Sequence, residues 1–141
     1  MNIASRRSPV ARAFTLIELI AVIVVLAILS GVAIPKYFDY AANAKASSCK
    51  GTLGGVRSAI ANFYANSAVN GNAQYPALNQ VTAVGTVMQE PISANPYNND
   101  ASAAAASWSA TPPVSGTNGW NYDAATGHFW DNSNSAGENG W

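Results

Sequence analysis

An unbroken apolar run near the N-terminus constrains this chain more than any other feature. From Phe14 to Ile34 there are 21 residues, and only Thr15, Glu18, Ser30 and Gly31 are not plainly apolar. At ~1.5 Å per helical residue the run spans about 31 Å, which matches a bilayer core of roughly 30 Å. Arg6, Arg7 and Arg12 precede it, and the positive-inside bias keeps them on the cytoplasmic side. Everything after Ile34 is then exported.

A removable secretory signal has a shorter apolar core, followed by a small-x-small cleavage site. Ser30-Gly31-Val32-Ala33 offers such a site, but the run is long for that role. The other small residue, Ala13, lies before the run. Glu18 also argues against a plain anchor. A carboxylate at mid-bilayer costs on the order of 3 kcal/mol, so Glu18 must lie near a helix end, be neutral or be paired. A chain starting at Phe14 would place its α-amine four residues away, on the same helix face. It would also put Glu18 in the first turns, where the helix dipole favours negative charge. A tolerated interfacial glutamate is the plainer alternative.

Ala13-Phe14-Thr15-Leu16-Ile17-Glu18-Leu19, with basic residues before it and an apolar run after it, resembles the prepilin processing motif. Bacterial type IV pilins and type II secretion pseudopilins share that motif. The likeness extends through Ala33-Ile34-Pro35-Lys36-Tyr37. It implies cleavage by prepilin peptidase between Ala13 and Phe14, N-methylation of Phe14, and a meeting of Glu18 with the Phe14 amine of a neighbouring subunit during assembly. Two departures stand out. The family usually has Gly before the cut, where this chain has Ala13. The paired C-terminal cysteines of many type IV pilins are absent, since Cys49 is the only cysteine; this leaves the pseudopilin reading open.

Pro35 lacks an N–H and clashes with the preceding turn, so a kink or local melting is expected there. The helical pattern nevertheless resumes. Phe38, Ala42, Ala46, Cys49, Leu53, Val56, Ile60 and Phe63 recur at helical spacing as one stripe. The reading is one helix of ~50 residues, from Phe14 to about Ala65. Its first half is apolar all round; its second half carries one buried stripe. Gly51, Gly54 and Gly55 interrupt the stripe, and each costs about 1 kcal/mol relative to Ala. They signal either local loosening or close approach of a neighbour. Cys49 reads as a small buried apolar residue.

Beyond the helix, Val69–Tyr75 reads as a loop and Val81–Met88 as a short strand or irregular segment. Asn95–Asp100 reads as turns. Asp100–Ala110 reads as either a short helix or a loop. Pro112-Pro113 starts an extended stretch. The clearest strand signal is late. Trp120 and Tyr122 alternate with Asn121 and Asp123, Ala124–Gly127 turns, and His128-Phe129-Trp130 follows. That pattern is a β-hairpin. The expected fold class is α+β: a long N-terminal helix packed on a small antiparallel sheet, an arrangement similar to pseudopilin domains. Residues 1–13 would be the leader, 14–34 the transmembrane and assembly helix, and 35–141 the exported domain.

No catalytic set is visible. His128 is the only histidine and reads as a sheet-face residue. There is no phosphate loop and no Cys/His metal cluster. Asp123, Asp131, Asn132, Asn134 and Glu138 gather around the hairpin and tail. Such oxygen ligands suit Ca²⁺, which makes Asp123, Asp131 and Asn134 candidate ligands, against a plainer reading as solvated turns. No other cofactor is expected. Trp108, Trp120, Tyr122, Trp130 and Trp141 form either a sugar-stacking face or, more simply, core and subunit contacts. Formal net charge is zero, so nothing argues for nucleic acid. Loss of residues 1–13 leaves four basic and seven acidic side chains, a net of −3. Charged residues are only 10%, and fifteen asparagines supply much of the polarity.

These readings converge on a non-enzymatic structural subunit of a helical filament. Its expected partners are copies of itself, prepilin peptidase, the inner membrane and the assembly platform in it. It would be a single-pass inner-membrane protein before assembly, and part of a periplasmic or extracellular filament afterwards. A type II secretion pseudopilus and a type IV pilus for adhesion, motility or DNA uptake both fit. A membrane-tethered ligand-binding module is the alternative of another class.

Overall fold

The computed structural model describes residues 14–141. The chain divides into two compact units, Met1–Tyr40 and Ala41–Trp141. Helix α1, Leu16–Val69, contributes to both and carries Pro35 without interruption of its helical assignment. Proline removes one backbone hydrogen bond; the neighbouring bonds of a long helix hold the turn.

In the second unit, α1 is followed by the short helix α2, Leu78–Thr82, and three strands: β1, Ala103–Ala105; β2, Trp120–Asp123; and β3, His128–Asp131. A 3-10 turn over Glu138–Gly140 ends the chain's described structure. The sheet order is β1-β2-β3. The hairpin lies where the sequence places it, and β2 and β3 pair antiparallel with Tyr122 opposite Phe129. However, β1 pairs parallel to β2, with Ala104 opposite Asn121. The sheet is therefore mixed, not purely antiparallel. Residues 103–105 are a strand, neither the helix nor the loop expected for Asp100–Ala110. Leu78–Thr82 is helical and takes the first two residues of Val81–Met88; the rest of that segment is irregular, one of its two expected forms. The Gln80 side chain closes this helix's first turn by accepting from the Ala77 amide at 2.8 Å. Val84 and Met88 keep only an isolated bridge.

The α1 stripe is buried at Cys49, Leu53, Val56 and Ile60. It packs with Trp120, Tyr122, Phe129, Val81 and Ile92 into one core. Strand periodicity explains the match. In an antiparallel pair, opposite residues share a face, so Trp120, Tyr122, Phe129 and Asp131 face α1. Asn121, Trp130 and His128 lie on the other face. A strap from Trp108 to Asn118 covers that face: Asn121 Nδ2 and Trp130 Nε1 both donate to the Pro113 carbonyl, at 3.0 and 2.9 Å. Two glycines are required by close approach. A Cβ on Gly119 would lie 1.8 Å from the Asp100 carbonyl oxygen, and one on Gly127, whose φ is +75°, would strike the Tyr75 ring at 2.4 Å.

Candidate assembly site

The first turn of α1 is closed by a reciprocal pair. Thr15 donates to Glu18 Oε2 through its amide and through its hydroxyl, each at 2.8 Å. The Glu18 amide donates back to Thr15 Oγ1 at 3.3 Å. This is a capping box: a Thr at the N-cap and a Glu three positions into the helix satisfy each other's free backbone donors. Sequence reasoning placed Glu18 at a helix N-terminus but missed the role of Thr15. The signal was present as Thr-x-x-Glu before an apolar run. Among the described residues, both bonds that Thr15 donates go to the same carboxylate oxygen, Glu18 Oε2.

The apolar side chains of this unit have no cover. Leu16, Ile17, Leu19, Val22, Ile23, Leu26, Leu29 and Val32 are all exposed. The helix is long and apolar enough to cross a membrane. Phe14 is exposed as well. Ala13, the residue before the expected cut, lies outside the described residues.

The remaining candidate residues sit in the second unit. Asp123 and Asp131 stand at opposite ends of the hairpin, paired with His128 and Trp120 respectively. Asp123 accepts from the Trp108 amide at 2.9 Å, which holds its carboxyl below the ordinary range. Buried Asp131 accepts from the Ser133 amide at 2.6 Å and from the Cys49 thiol at 3.0 Å. Asn134 is exposed. The structure thus does not bring Asp123, Asp131 and Asn134 together. Among the described residues no group of three or more His, Cys, Asp or Glu side chains is placed to hold a metal ion.

Cys49 is buried, as expected, but it is also a donor. Burial pushes its thiol up, and the Asp131 carboxylate adds to the shift. A thiol held neutral is a poor nucleophile. His128 is exposed and stacks on Trp108 with ring centroids 4.3 Å apart. Trp108 in turn meets Trp130 edge to face at 5.2 Å. Trp120, Tyr122 and Trp130 are buried, so they serve the sheet's two faces and present no open stacking platform.

The segment around this capping box is shared with other proteins. Residues 9–34 match the family described as a prokaryotic N-terminal methylation motif. The chain is 33% identical to fimbrial protein EcpC of Eikenella corrodens over 79 residues, 56% of this chain and 48% of that protein. It is 37% identical to a fimbrial protein of Neisseria meningitidis serogroup B over 75 residues, 53% of this chain and 41% of that one. It is 41% identical to the type IV major pilin protein PilE of Neisseria gonorrhoeae over 58 residues, 41% of this chain and 35% of the pilin. The chain spans less than half the length of these relatives. No solved structure matches it. A methylation motif, an exposed apolar helix closed by Thr15 and Glu18, and shared sequence with fimbrial proteins together make the N-terminal part of this chain similar to that of type IV pilins.

Proposed function

We propose that the chain is a structural subunit of a type IV pilus-like filament. It is made as a single-pass inner-membrane precursor, cut between Ala13 and Phe14 and methylated on Phe14 by prepilin peptidase. The assembly platform then draws it from the membrane, and it polymerises through α1. One observation carries this reading: the whole apolar face of residues 14–34 is exposed. Such a surface needs lipid or other apolar helices around it. A filament core of packed α1 helices supplies the second environment after the membrane has supplied the first. In that core the Glu18 carboxylate accepts from the Phe14 amine of a neighbouring subunit.

A type II secretion pseudopilus is the second reading, favoured by the single, buried cysteine. Deletion of the gene separates the two: loss of surface filaments marks a pilus subunit, loss of protein export a pseudopilin. A monomeric membrane-tethered binding module is set apart by Glu18→Ala. That variant should still insert in the membrane yet yield no filaments, scored by shearing and electron microscopy; a normal filament yield would remove Glu18 from assembly. Mass spectrometry of the mature protein should find a chain beginning at methylated Phe14. A chain beginning at Met1 or after Ala33 would overturn the processing scheme.

A further inference from the structure

The segment just beyond the apolar run carries a second recognition element. Tyr37, Phe38 and Tyr40 are exposed by 71%, 67% and 69%, and Lys36 before them and Asp39 among them are exposed too. Successive helical residues turn by about 100°. Phe38 and Tyr40 therefore point about 160° apart around the helix, with Tyr37 between them. The aromatic side chains occupy one arc of the helix, and Lys36 and Asp39 lie on the rest. Tyr37 and Phe38 meet edge to face, with ring centroids 6.2 Å apart.

We infer that Lys36–Tyr40 is a membrane-interface belt that fixes the depth of the unassembled subunit in the outer leaflet of its bilayer; this rests on the membrane stage of the function proposed above. Two opposed preferences bracket the depth. Lys36 and Asp39 are too costly to place in hydrocarbon, which forces the segment out of the core. The tyrosine rings favour the boundary, where the ring stays apolar and the hydroxyl is wet. Distance agrees with both. With Ile34 at the edge of the core, Tyr37, Phe38 and Tyr40 lie about 4.5, 6 and 9 Å further along an upright helix. The interfacial layer on each side is roughly 5–8 Å thick, so Tyr37 and Phe38 fall within it and Tyr40 at its outer margin. Lys36 can extend its ammonium to lipid phosphate from that level. The first compact unit also ends at Tyr40, so the belt closes the membrane-facing unit.

Depth-dependent fluorescence quenching in phosphatidylethanolamine–phosphatidylglycerol vesicles tests the belt on the full chain. The four native tryptophans lie in the exported unit and set the baseline. Indoles introduced by Tyr37→Trp and by Tyr40→Trp should be quenched more by lipids brominated near the headgroup than by lipids brominated near the chain ends. Ile23→Trp should show the reverse order. Absence of quenching for Tyr37→Trp and Tyr40→Trp, with Ile23→Trp quenched, would overturn the belt and leave the membrane span standing. The same holds if both interfacial variants were quenched most by the deep probe. No quenching of Ile23→Trp by either lipid would remove the membrane stage itself, and the belt with it.

Discussion

Glu138 shows how one side chain can order a tail. Its buried carboxylate accepts from the Ser133 hydroxyl and from the amides of Ser135 and Ala136, the last two at 2.8 and 2.5 Å. Burial pushes its pKa up, but the hydrogen bond from Ser133 and those from the backbone outweigh it, and the net direction is down. A carboxyl depressed in the fold contributes stability above its ordinary pKa of 4.5, and that stability is lost as pH falls through the lower folded value. Glu138→Ala strands buried donors, so it should cost about 2–4 kcal/mol in urea denaturation of the full chain in detergent, with a shallower loss of stability in acid. Cys49 acts at the other end of the scale. Its thiol is raised above the ordinary 9.0, so the unfolded chain releases that proton first and stability falls as pH rises past 9. Tyr122, which donates to the Pro76 carbonyl at 2.7 Å, is pushed up to about 12 from 10.0 and adds its own loss only at higher pH. Cys49→Ala should therefore flatten the stability profile between pH 9 and 10 in melts followed by circular dichroism. At the candidate site, Glu18 was legible because a carboxylate in an apolar run demands an explanation. The acceptor role of Asp131 toward Cys49 was not, since the two are 82 residues apart.

At the scale of elements, α1 is decided by its own periodicity. The spacing Cys49-Leu53-Val56-Ile60 names the buried face before any partner is known. Leu53→Ala should cost about 2–5 kcal/mol by cavity formation. Gly51 and Gly55 give the opposite sign. Nothing lies within 4 Å of a Cβ added at either position, so Gly51→Ala or Gly55→Ala should stabilise the free subunit by up to about 1 kcal/mol, read from the same denaturation curves. If filament yield nevertheless falls, the glycines admit a neighbouring subunit in the assembled state, which settles the choice the sequence left between loosening and close approach. Strand β1 behaves differently. Ala103–Ala105 has no β-branched or aromatic residue, and alanine has weak strand preference. Those residues are extended because the edge of β2 offers them hydrogen-bond partners, a fact no local window contains.

Across the whole second unit, asparagines hold irregular backbone in place. The chain's fifteen asparagines supply much of its polarity, yet Asn95, Asn121 and Asn132 are buried. Asn132 Oδ1 accepts from the Ser115 amide at 2.7 Å and from Asn121 at 2.9 Å, while its Nδ2 donates to the Asn118 carbonyl at 3.1 Å. It thereby fastens the strap to the sheet. Asn132→Ala should speed hydrogen exchange at the Ser115 amide, which loses its acceptor. The Gly116 amide should be less affected, because it bonds the Asn132 backbone carbonyl at 3.1 Å; equal acceleration at both would mean the whole strap had come away. By itself the sequence determined the helix, its apolar first half, its buried stripe, the hairpin and the processing motif, because each is set by short-range periodicity or by residues adjacent in the chain. Tertiary structure alone decided the parallel pairing of β1, the helical turn at Leu78–Thr82, the strap over the sheet's second face and the carboxylates buried under the tail. These depend on backbone groups finding partners far along the chain, and an unpaired buried donor or acceptor costs enough to override the local preferences of alanine, serine and asparagine.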